Sequence, residues 1–244
     1  MSTIKPTWFT YSLGEPVIVC RGTYRVYAIV KNAGPLPAKN VTALESIVYV
    51  GNSQQIIGDR YLWWISSSLE KDKKVAIVHG KSENKVEVFN ALDEINLPLF
   101  DFAKSVAGGD DAYDLLIYSD KQPPPTPQNW GGDECPTRKY YKHVLPVKEG
   151  STRFIVVKVK IRGEGVVWGK RFELYLTFDR LKCIEDLIKK IEDLNDKKNR
   201  KEFSKEDEEQ WNRYSKSLGK VLKALTRPPD NDRVLLSYAC PQSL

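Results

Sequence analysis

The sequence predicts a mainly β fold, an antiparallel β-sandwich followed by a β-lobe that carries a two-helix hairpin. Short segments of alternating apolar and polar residues recur along the chain, and turn residues separate most of them. A helical period of about 3.6 residues is found only between 181 and 225. Many short strands without intervening helices indicate an antiparallel sandwich or barrel.

Residues 1–120 are predicted to form the sandwich. The run TYRVYAIV places Tyr24, Val26, Ala28 and Val30 on one face of a strand. Further strands are predicted in PVIVC (16–20), NVTALESIVYV (40–50), KKVAIVH (73–79), NKVEVFN (84–90) and AYDLLIYS (112–119), with a weaker pattern in QIIGDRYLWWI (55–65).

Residues 121–139 are predicted to be a Pro-rich linker or long loop. They contain five of the fourteen prolines together with Gly131 and Gly132. Proline removes backbone donors and favours extended or turn conformations, which places a domain boundary here. The sequence leaves open whether the lobes on either side form one continuous sandwich.

Residues 140–244 are predicted to contain a β-hairpin, a helical hairpin and a C-terminal strand. The β-hairpin joins RFIVVKVKI to RFELYLTF through a turn at RGEG, residues 162–165. Its apolar residues face one side, and Lys158 and Lys160 face the other. The final strand is assigned to DRVLLSYA, residues 232–239.

Two helices follow the β-hairpin. The first is predicted to begin at an Asp179 N-cap and to end before a polar loop, NDKKNRKEF, at 195–203. The second is predicted to begin with a capping box formed by Ser204 and Asp207 and to end before Pro228. The pair is expected to lie on a sheet made by 153–178 and 233–239. Their apolar stripes consist of Leu181, Ile184, Leu187, Ile188, Ile191 and Leu194, and of Trp211, Tyr214, Leu218, Val221, Leu222 and Leu225.

The segment VKNAGPLPAKNVT, residues 30–42, separates two alternating runs. Because proline cannot donate to a sheet ladder, it is expected to end one strand and turn the chain toward the next. The segment resembles the second-to-third strand connection of CARDB-type domains, which are immunoglobulin-like sandwiches of archaeal and bacterial adhesion and surface proteins. The matching residues are Val30, Asn32, Gly34, Ala38, Asn40 and Val41.

AYDLLIYSD, residues 112–120, also resembles a strand of that family. The resemblance covers residues 15–120 and implies an immunoglobulin-like fold with a binding or spacer role and no catalysis. It departs from the family in two respects: segment 56–112 is longer and less regular, and the chain has no signal peptide, whereas family members are usually exported.

Composition and the N-terminal sequence limit the classes of protein to which the chain could belong. The N-terminus has no apolar core of a signal peptide, so we expect synthesis in the cytoplasm and no membrane insertion, with incorporation into a virion or other particle left open. A single methionine beside abundant Lys, Glu, Val and Ile is compatible with a thermophilic source. The net charge of +6 is modest for 244 residues and permits nucleic-acid binding without implying it.

Motifs for catalysis and metal binding are absent from the sequence. The four cysteines are widely spaced, and the only histidines are His79 and His143, so neither a zinc site nor a catalytic triad is predicted. Cys20 and Cys183 are interpreted as buried free thiols, with disulfide pairing left open. No phosphate-binding loop, dinucleotide fingerprint or H-E-x-x-H motif occurs. We therefore predict no catalytic residue, no metal and no cofactor.

Three functions are considered. The first is a non-enzymatic structural or protein-interaction module of an archaeal surface or virus-particle assembly, which binds another chain or another copy through Trp63, Trp64 and Trp130. The second is a nucleic-acid-binding protein, and the third is a hydrolase or nuclease with an unrecognised site. In the second function, the cations predicted to contact nucleic acid are Lys158, Lys160, Lys197, Lys198, Arg200 and Lys201.

Overall fold

The computed structural model describes residues 9–20, 22–50, 55–61, 65–66, 85–89, 91–92, 94–105, 112–118, 141–164 and 166–240. These residues form twelve strands and three α-helices. The strands are β1 (Phe9–Leu13), β2 (Val17–Cys20), β3 (Thr23–Asn32), β4 (Ala38–Val50), β5 (Gln55–Tyr61), β6 (Ile65–Ser66), β7 (Lys85–Phe89), β8 (Glu94–Lys104), β9 (Ala112–Tyr118), β10 (Tyr141–Lys148), β11 (Thr152–Gly163) and β12 (Val166–Thr177). The helices are α1 (Phe178–Asn199), α2 (Lys205–Ala224) and α3 (Asp232–Ala239).

The strands form two antiparallel sheets, which confirms the prediction of a mainly β fold. The seven-stranded sheet has the order β1-β3-β8-β9-β10, with β2 beside β3 and β6 beside β8. The five-stranded sheet has the order β12-β11-β4-β5, with β7 beside β4. One cluster of buried apolar side chains draws on strands of both sheets and on all three helices.

The segment 33–37 carries the chain from one sheet to the other, since β3 belongs to the seven-stranded sheet and β4 to the five-stranded sheet. Asn32 is fully buried at its start and stabilises the turn. Its side-chain nitrogen donates to the Leu36 carbonyl at 2.9 Å, and its side-chain oxygen accepts from the Gly34 amide at 3.1 Å. The predicted role of this Pro/Gly stretch is confirmed.

Strands from before and after residues 119–140 pair with one another in both sheets. β10 pairs with β9 in the seven-stranded sheet, and β11 pairs with β4 in the five-stranded sheet. The predicted linker at 121–139 lies outside the described residues. Backbone ladders therefore join the two predicted lobes.

The long hairpin is confirmed and is the most regular part of the fold. β11 and β12 pair without a register shift from Thr152 opposite Thr177 to Gly163 opposite Val166. The apolar faces that the alternation predicted are buried: Val157, Val159 and Ile161 in β11, and Phe172, Leu174 and Leu176 in β12.

β8, which lies between β3 and β9, was not predicted. Opposite β8, Val26 pairs with Phe100 and Tyr27 pairs with Pro98, so Leu99 is an extra residue at a β-bulge. The bulge breaks the alternation, and Pro98 argues against a central strand, which explains the omission. β1 and β10 were missed as well, and the predicted strand at 73–79 lies outside the described residues.

The helical hairpin forms as predicted, with two corrections. Thr177, and not Asp179, is the N-cap of α1, because its hydroxyl accepts from the Arg180 amide at 3.2 Å. The helix also continues to Asn199, so the first half of the predicted polar loop is helical. The capping box of α2 is confirmed: the Asp207 amide donates to the Ser204 hydroxyl at 3.1 Å, and the Ser204 amide donates to the Asp207 carboxylate at 2.9 Å.

The predicted C-terminal strand at 232–239 is wrong, because this segment is helix α3. Its buried residues, Leu236 and Ala239, are three positions apart, as one face of a helix requires. A segment of eight residues is too short for the sequence alone to distinguish the helical period from the strand period. The helical hairpin therefore has no strand at 233–239 to lie on. Instead, α1 packs against the seven-stranded sheet, where the Phe178 ring lies 5.3 Å from the Tyr113 ring.

The end of α3 is covalently joined to α1. Cys183 and Cys240 form a disulfide with a Cα–Cα distance of 5.7 Å, so the interpretation of Cys183 as a free thiol is wrong. The disulfide closes a sequence separation of 57 residues that contains all of α2. It fixes the ends of the helical region to each other.

Arg180 connects four parts of this region from a fully buried position. Its guanidinium makes a bidentate ion pair with Asp232 at the start of α3, with a shortest distance of 2.6 Å. The remaining donors bond to the carbonyls of Tyr175, Arg227 and Pro228 at 2.8, 2.9 and 3.3 Å. One side chain thus joins β12, α1, the end of α2 and α3.

Candidate functional site

The three tryptophans assigned to a protein interface, Trp63, Trp64 and Trp130, lie outside the described residues. Their role stays a prediction. The described part of the chain offers a different aromatic surface at the far end of the β11–β12 hairpin. Val167 is 75% exposed there, and Trp168 is 41% exposed.

The first residues of β12 project beyond the covered part of the sandwich. Trp168 lies opposite Ile161 of β11, and this isoleucine is fully buried. Trp168 and Lys170 lie on the same face of β12 as the buried Phe172, yet both are exposed, so this face is uncovered at the start of the strand. Val167 and Trp168 are consecutive in the strand, so their side chains lie on opposite faces, and the exposed Trp168 ring is by itself an aromatic side chain of the kind that protein partners cover.

β12 is also an edge strand, since no other described strand pairs with its outer side. Near its end the Tyr175 amide points outward and donates to the Leu225 carbonyl at 2.7 Å, which closes that part of the edge. Residues two apart in a strand direct their backbone groups to the same side. The amides and carbonyls of Val167, Gly169 and Arg171 therefore point outward, where an added strand would pair.

Lys158 and Lys160 lie on the outer face of the five-stranded sheet and are exposed, as the alternation predicted. Arg162 and Arg171 share this face, because Arg162 follows the same alternation and Arg171 pairs directly with Lys158. Arg171 is held by Glu173 at 2.7 Å. The face is cationic but carries one internal ion pair.

The cations at 197–201 make contacts within their own helical turn. Lys197 donates to the Asp207 carboxylate at 2.8 Å, and the Lys198 ammonium lies 5.7 Å from the centre of the Phe203 ring. Arg200 lies 3.7 Å from Glu202. These contacts join the turn between α1 and α2.

Asp207 makes the stability of this turn depend on pH. Hydrogen bonds from Lys197 and then from Ser204 lower the pKa of Asp207 to about 2. Because the folded pKa is lower than the value near 3.9 in an unfolded chain, the stabilisation is complete above about pH 4 and disappears as the pH falls toward 2. We expect Asp207→Asn to flatten the loss of thermal stability between pH 4 and 2, measured by circular dichroism. Glu208→Gln, which changes the exposed carboxylate at the next position, is the control and should keep the wild-type profile.

A buried carboxylate lies at the contact between α1 and the seven-stranded sheet. Glu185 accepts hydrogen bonds from Tyr24 at 3.3 Å, from Tyr113, and from Lys189 at 2.6 Å. Burial and then the nearby Glu185 raise the pKa of Tyr24, and the same two effects raise the pKa of Tyr113. Both phenols therefore stay protonated and donate to the carboxylate. The cluster anchors α1 to the seven-stranded sheet.

A second buried charged group lies within the seven-stranded sheet. Arg25 makes a bidentate ion pair with Asp101, with distances of 3.0 and 3.1 Å, and Tyr141 donates to the same carboxylate at 3.0 Å. The pKa of Tyr141 is raised by burial and by the charge of Asp101. The group connects β3, β8 and β10 across the sheet, and all three side chains are at most 9% exposed.

Metal ligands do not converge in the part of the chain that the structure describes: no three His, Cys, Asp or Glu side chains there are arranged to hold an ion. Of the two histidines, His79 lies outside the described residues and His143 belongs to β10. None of the described helices has the length and apolar character needed to cross a membrane.

No protein-family model matches the chain, and no curated protein matches its sequence.

Proposed function

We propose that the protein is a non-enzymatic interaction module that binds a second copy of itself by pairing the free edges of β12. The observation that carries this proposal is the outward-facing backbone of Val167, Gly169 and Arg171 beside an exposed Trp168. Unpaired strand edges bind added strands through backbone hydrogen bonds, and flanking side chains give specificity.

An antiparallel pair centred on Gly169 is self-complementary. Gly169 then lies opposite its own copy, and Val167 lies opposite Arg171 in hydrogen-bonded positions. Trp168 lies opposite Lys170 in a non-hydrogen-bonded position, where side chains are closest, and indole is the best acceptor for a cation–π contact. The twofold arrangement repeats each contact.

The experiment is light scattering during size-exclusion chromatography at several concentrations. We expect dimers at high concentration, and monomers for Gly169→Pro and Trp168→Ser. The proline removes an outward-facing donor, and a Cβ at this position has ordinary contacts, the nearest at 3.6 Å from the Val159 carbonyl oxygen. Leu36→Ser, which changes another apolar side chain with 49% exposure, is the matched control and should remain dimeric. A wild-type monomer at all concentrations would show that Lys170 and Arg171 instead protect the edge from pairing.

The setting of this module is part of the proposal. The Cys183–Cys240 disulfide supports either an oxidising environment or the cytoplasm of a hyperthermophile, where intracellular disulfides are common. Both agree with an archaeal chain that is made in the cytoplasm and incorporated into a surface structure or virion. The likeness to CARDB-type domains is kept here as a proposal about ancestry, and it also assigns no reaction.

A second candidate function, nucleic-acid binding at the outer face of the five-stranded sheet, is supported by the exposed Lys158 and Lys160 beside Arg162. The cations at 197–201 support it less, because Lys197 and Arg200 lie in local ion pairs. Lys158→Glu/Lys160→Glu should abolish such binding if this face is responsible.

A further inference from the structure

A groove of about 990 Å³ lies between α2 and α3. One wall is the polar face of α2, and the other is formed by α3 residues that include Val234 and Tyr238. The turn at 227–232 closes one end, where Arg180 and Asp232 are paired with each other. The groove is separate from both the β12 edge and the Lys158 face.

The α2 wall carries a row of cations at helical spacing. Their positions differ by 3, 4, 3 and 4 residues, which places them along one side of α2 and its C-terminal turn. All five are exposed, and within the described residues none of them forms an ion pair. We call them the α2 cation row: Arg213, Lys216, Lys220, Lys223 and Arg227.

This row is unfavourable for the helix alone. Like charges three or four positions apart destabilise a helix by about 0.2–0.5 kcal/mol per pair. The acidic residues of α2 offset little of the row: Glu206, Asp207 and Glu208 lie in the first turn at the other end, and of the four acids of α2 Glu209 alone stands four positions before a cation of the row, Arg213. Among the described residues, the acids that line the groove are Asp230 and Asp232, and Asp232 is paired with Arg180. An anionic ligand along the groove would remove the repulsion.

The α3 wall identifies the kind of anion. Tyr238 is 83% exposed and Val234 is 62% exposed, so an aromatic ring and an apolar side chain face the same groove as the cations. Cations that follow a backbone, combined with aromatic rings on which bases stack, are the features that bind single-stranded nucleic acid. The bases of a duplex are stacked on one another and cannot reach a ring on this wall.

We propose that the α2–α3 groove binds single-stranded nucleic acid, with phosphates along the α2 cation row and a base stacked on Tyr238. This binding activity goes beyond the proposed self-association and does not depend on it. The successive cations of the helix are about 4.5–6 Å apart along its axis, so one strand contacts several of them at once. Five contacts predict a slope of about −3.5 for the logarithm of affinity against the logarithm of salt concentration.

The test is fluorescence anisotropy of a labelled oligothymidylate of roughly 20 nucleotides with the full-length protein, titrated at several salt concentrations. Lys216→Glu/Lys220→Glu is expected to lower affinity at least 10-fold and to reduce the salt slope by about 1.4. Tyr238→Ala is expected to lower affinity roughly 5-fold or more with an unchanged slope, because stacking releases no counterions. All substituted side chains are exposed, so none of these variants should lower the melting temperature, and Lys216→Glu/Lys220→Glu should raise it slightly because it removes like-charge repulsion.

The matched control is Lys158→Glu/Lys160→Glu, which makes the same change in charge on the sheet and should bind as the wild type does. Loss of binding in that variant with normal binding in the α2 variant would overturn the proposal and move the site to the sheet. Three other results would also overturn it: no binding to oligothymidylate, tighter binding to a duplex of equal length, or equal competition by polyglutamate, which would indicate an acidic protein partner. The Trp168→Ser variant separates this proposal from self-association, since it should lose dimers and keep nucleic-acid binding.

Discussion

An Asp232→Asn substitution is expected to lower the free energy of unfolding by about 3–5 kcal/mol, which is the usual cost of removing one partner from a buried ion pair. The side chain of Arg180 is 1% exposed and that of Asp232 is 17% exposed, so the substitution leaves a guanidinium buried beside carbonyls alone. The loss is large because carbonyl dipoles compensate a buried charge less well than a carboxylate does. Urea unfolding followed by circular dichroism measures it.

A double-mutant cycle isolates the pair. Arg180→Leu removes the charge and fills part of the same volume, so Arg180→Leu/Asp232→Asn should be less destabilised than the sum of the two single variants. Asp230→Asn changes an exposed carboxylate two residues away and should stay within about 0.5 kcal/mol of the wild type. Equal effects of Asp230→Asn and Asp232→Asn would mean that the ion pair contributes nothing specific.

Reduction of the Cys183–Cys240 disulfide is expected to cost about 4 kcal/mol, because a closed loop of 57 residues restricts the unfolded chain. Urea unfolding with and without a reductant gives the difference. We expect Cys183→Ala/Cys240→Ala to be at least as destabilised as the reduced wild type, because it also removes two buried sulfur atoms, and to show no response to reductant in this region. Both cysteines are buried, so the comparison with the reduced protein separates the bond from the packing.

The spectroscopic signal that changes first on reduction shows which part of the fold the disulfide stabilises. If the α1–α3 bond stabilises the helical region, the loss should be seen first in the helical signal at 222 nm. A reductant that leaves the unfolding midpoint unchanged would contradict the assignment. Cys135 lies outside the described residues, so the double variant, and not the reductant alone, is the decisive measurement.

The regular elements were predictable from local pattern, because their side chains have one buried face. The β11–β12 hairpin and both long helices keep one period throughout, and Ser204 with Asp207 marks a helix start by local chemistry alone. β8 was not predictable this way, since the bulge at Leu99 changes the face of the side chains in the middle of the strand. Segment 232–239 is too short for its period to decide between helix and strand.

Features that depend on distant partners could not be read from the sequence. Arg180 looks like an ordinary polar residue of a helix until Asp232, more than 50 positions later, is seen beside it. The pairing of Cys183 with Cys240 could not be predicted for the same reason, since the two cysteines are 57 positions apart. The α2 cation row is different, because the 3-4 spacing from Arg213 to Arg227 was present in the sequence. It was not predicted as a site, because cations opposite the apolar stripe of an amphipathic helix are usually its solvated face.

The ladder between β4 and β11 determines when this protein can fold during its synthesis. Val48 pairs with Val156, so the partners are 108 positions apart (156 − 48). At 5–20 residues per second the ribosome takes roughly 5 to 20 s to translate that interval, during which β4 has no neighbour on its β11 side. A nascent chain that stops near residue 120 therefore presents an open apolar strand, and chaperones would have to protect it until the second half is made.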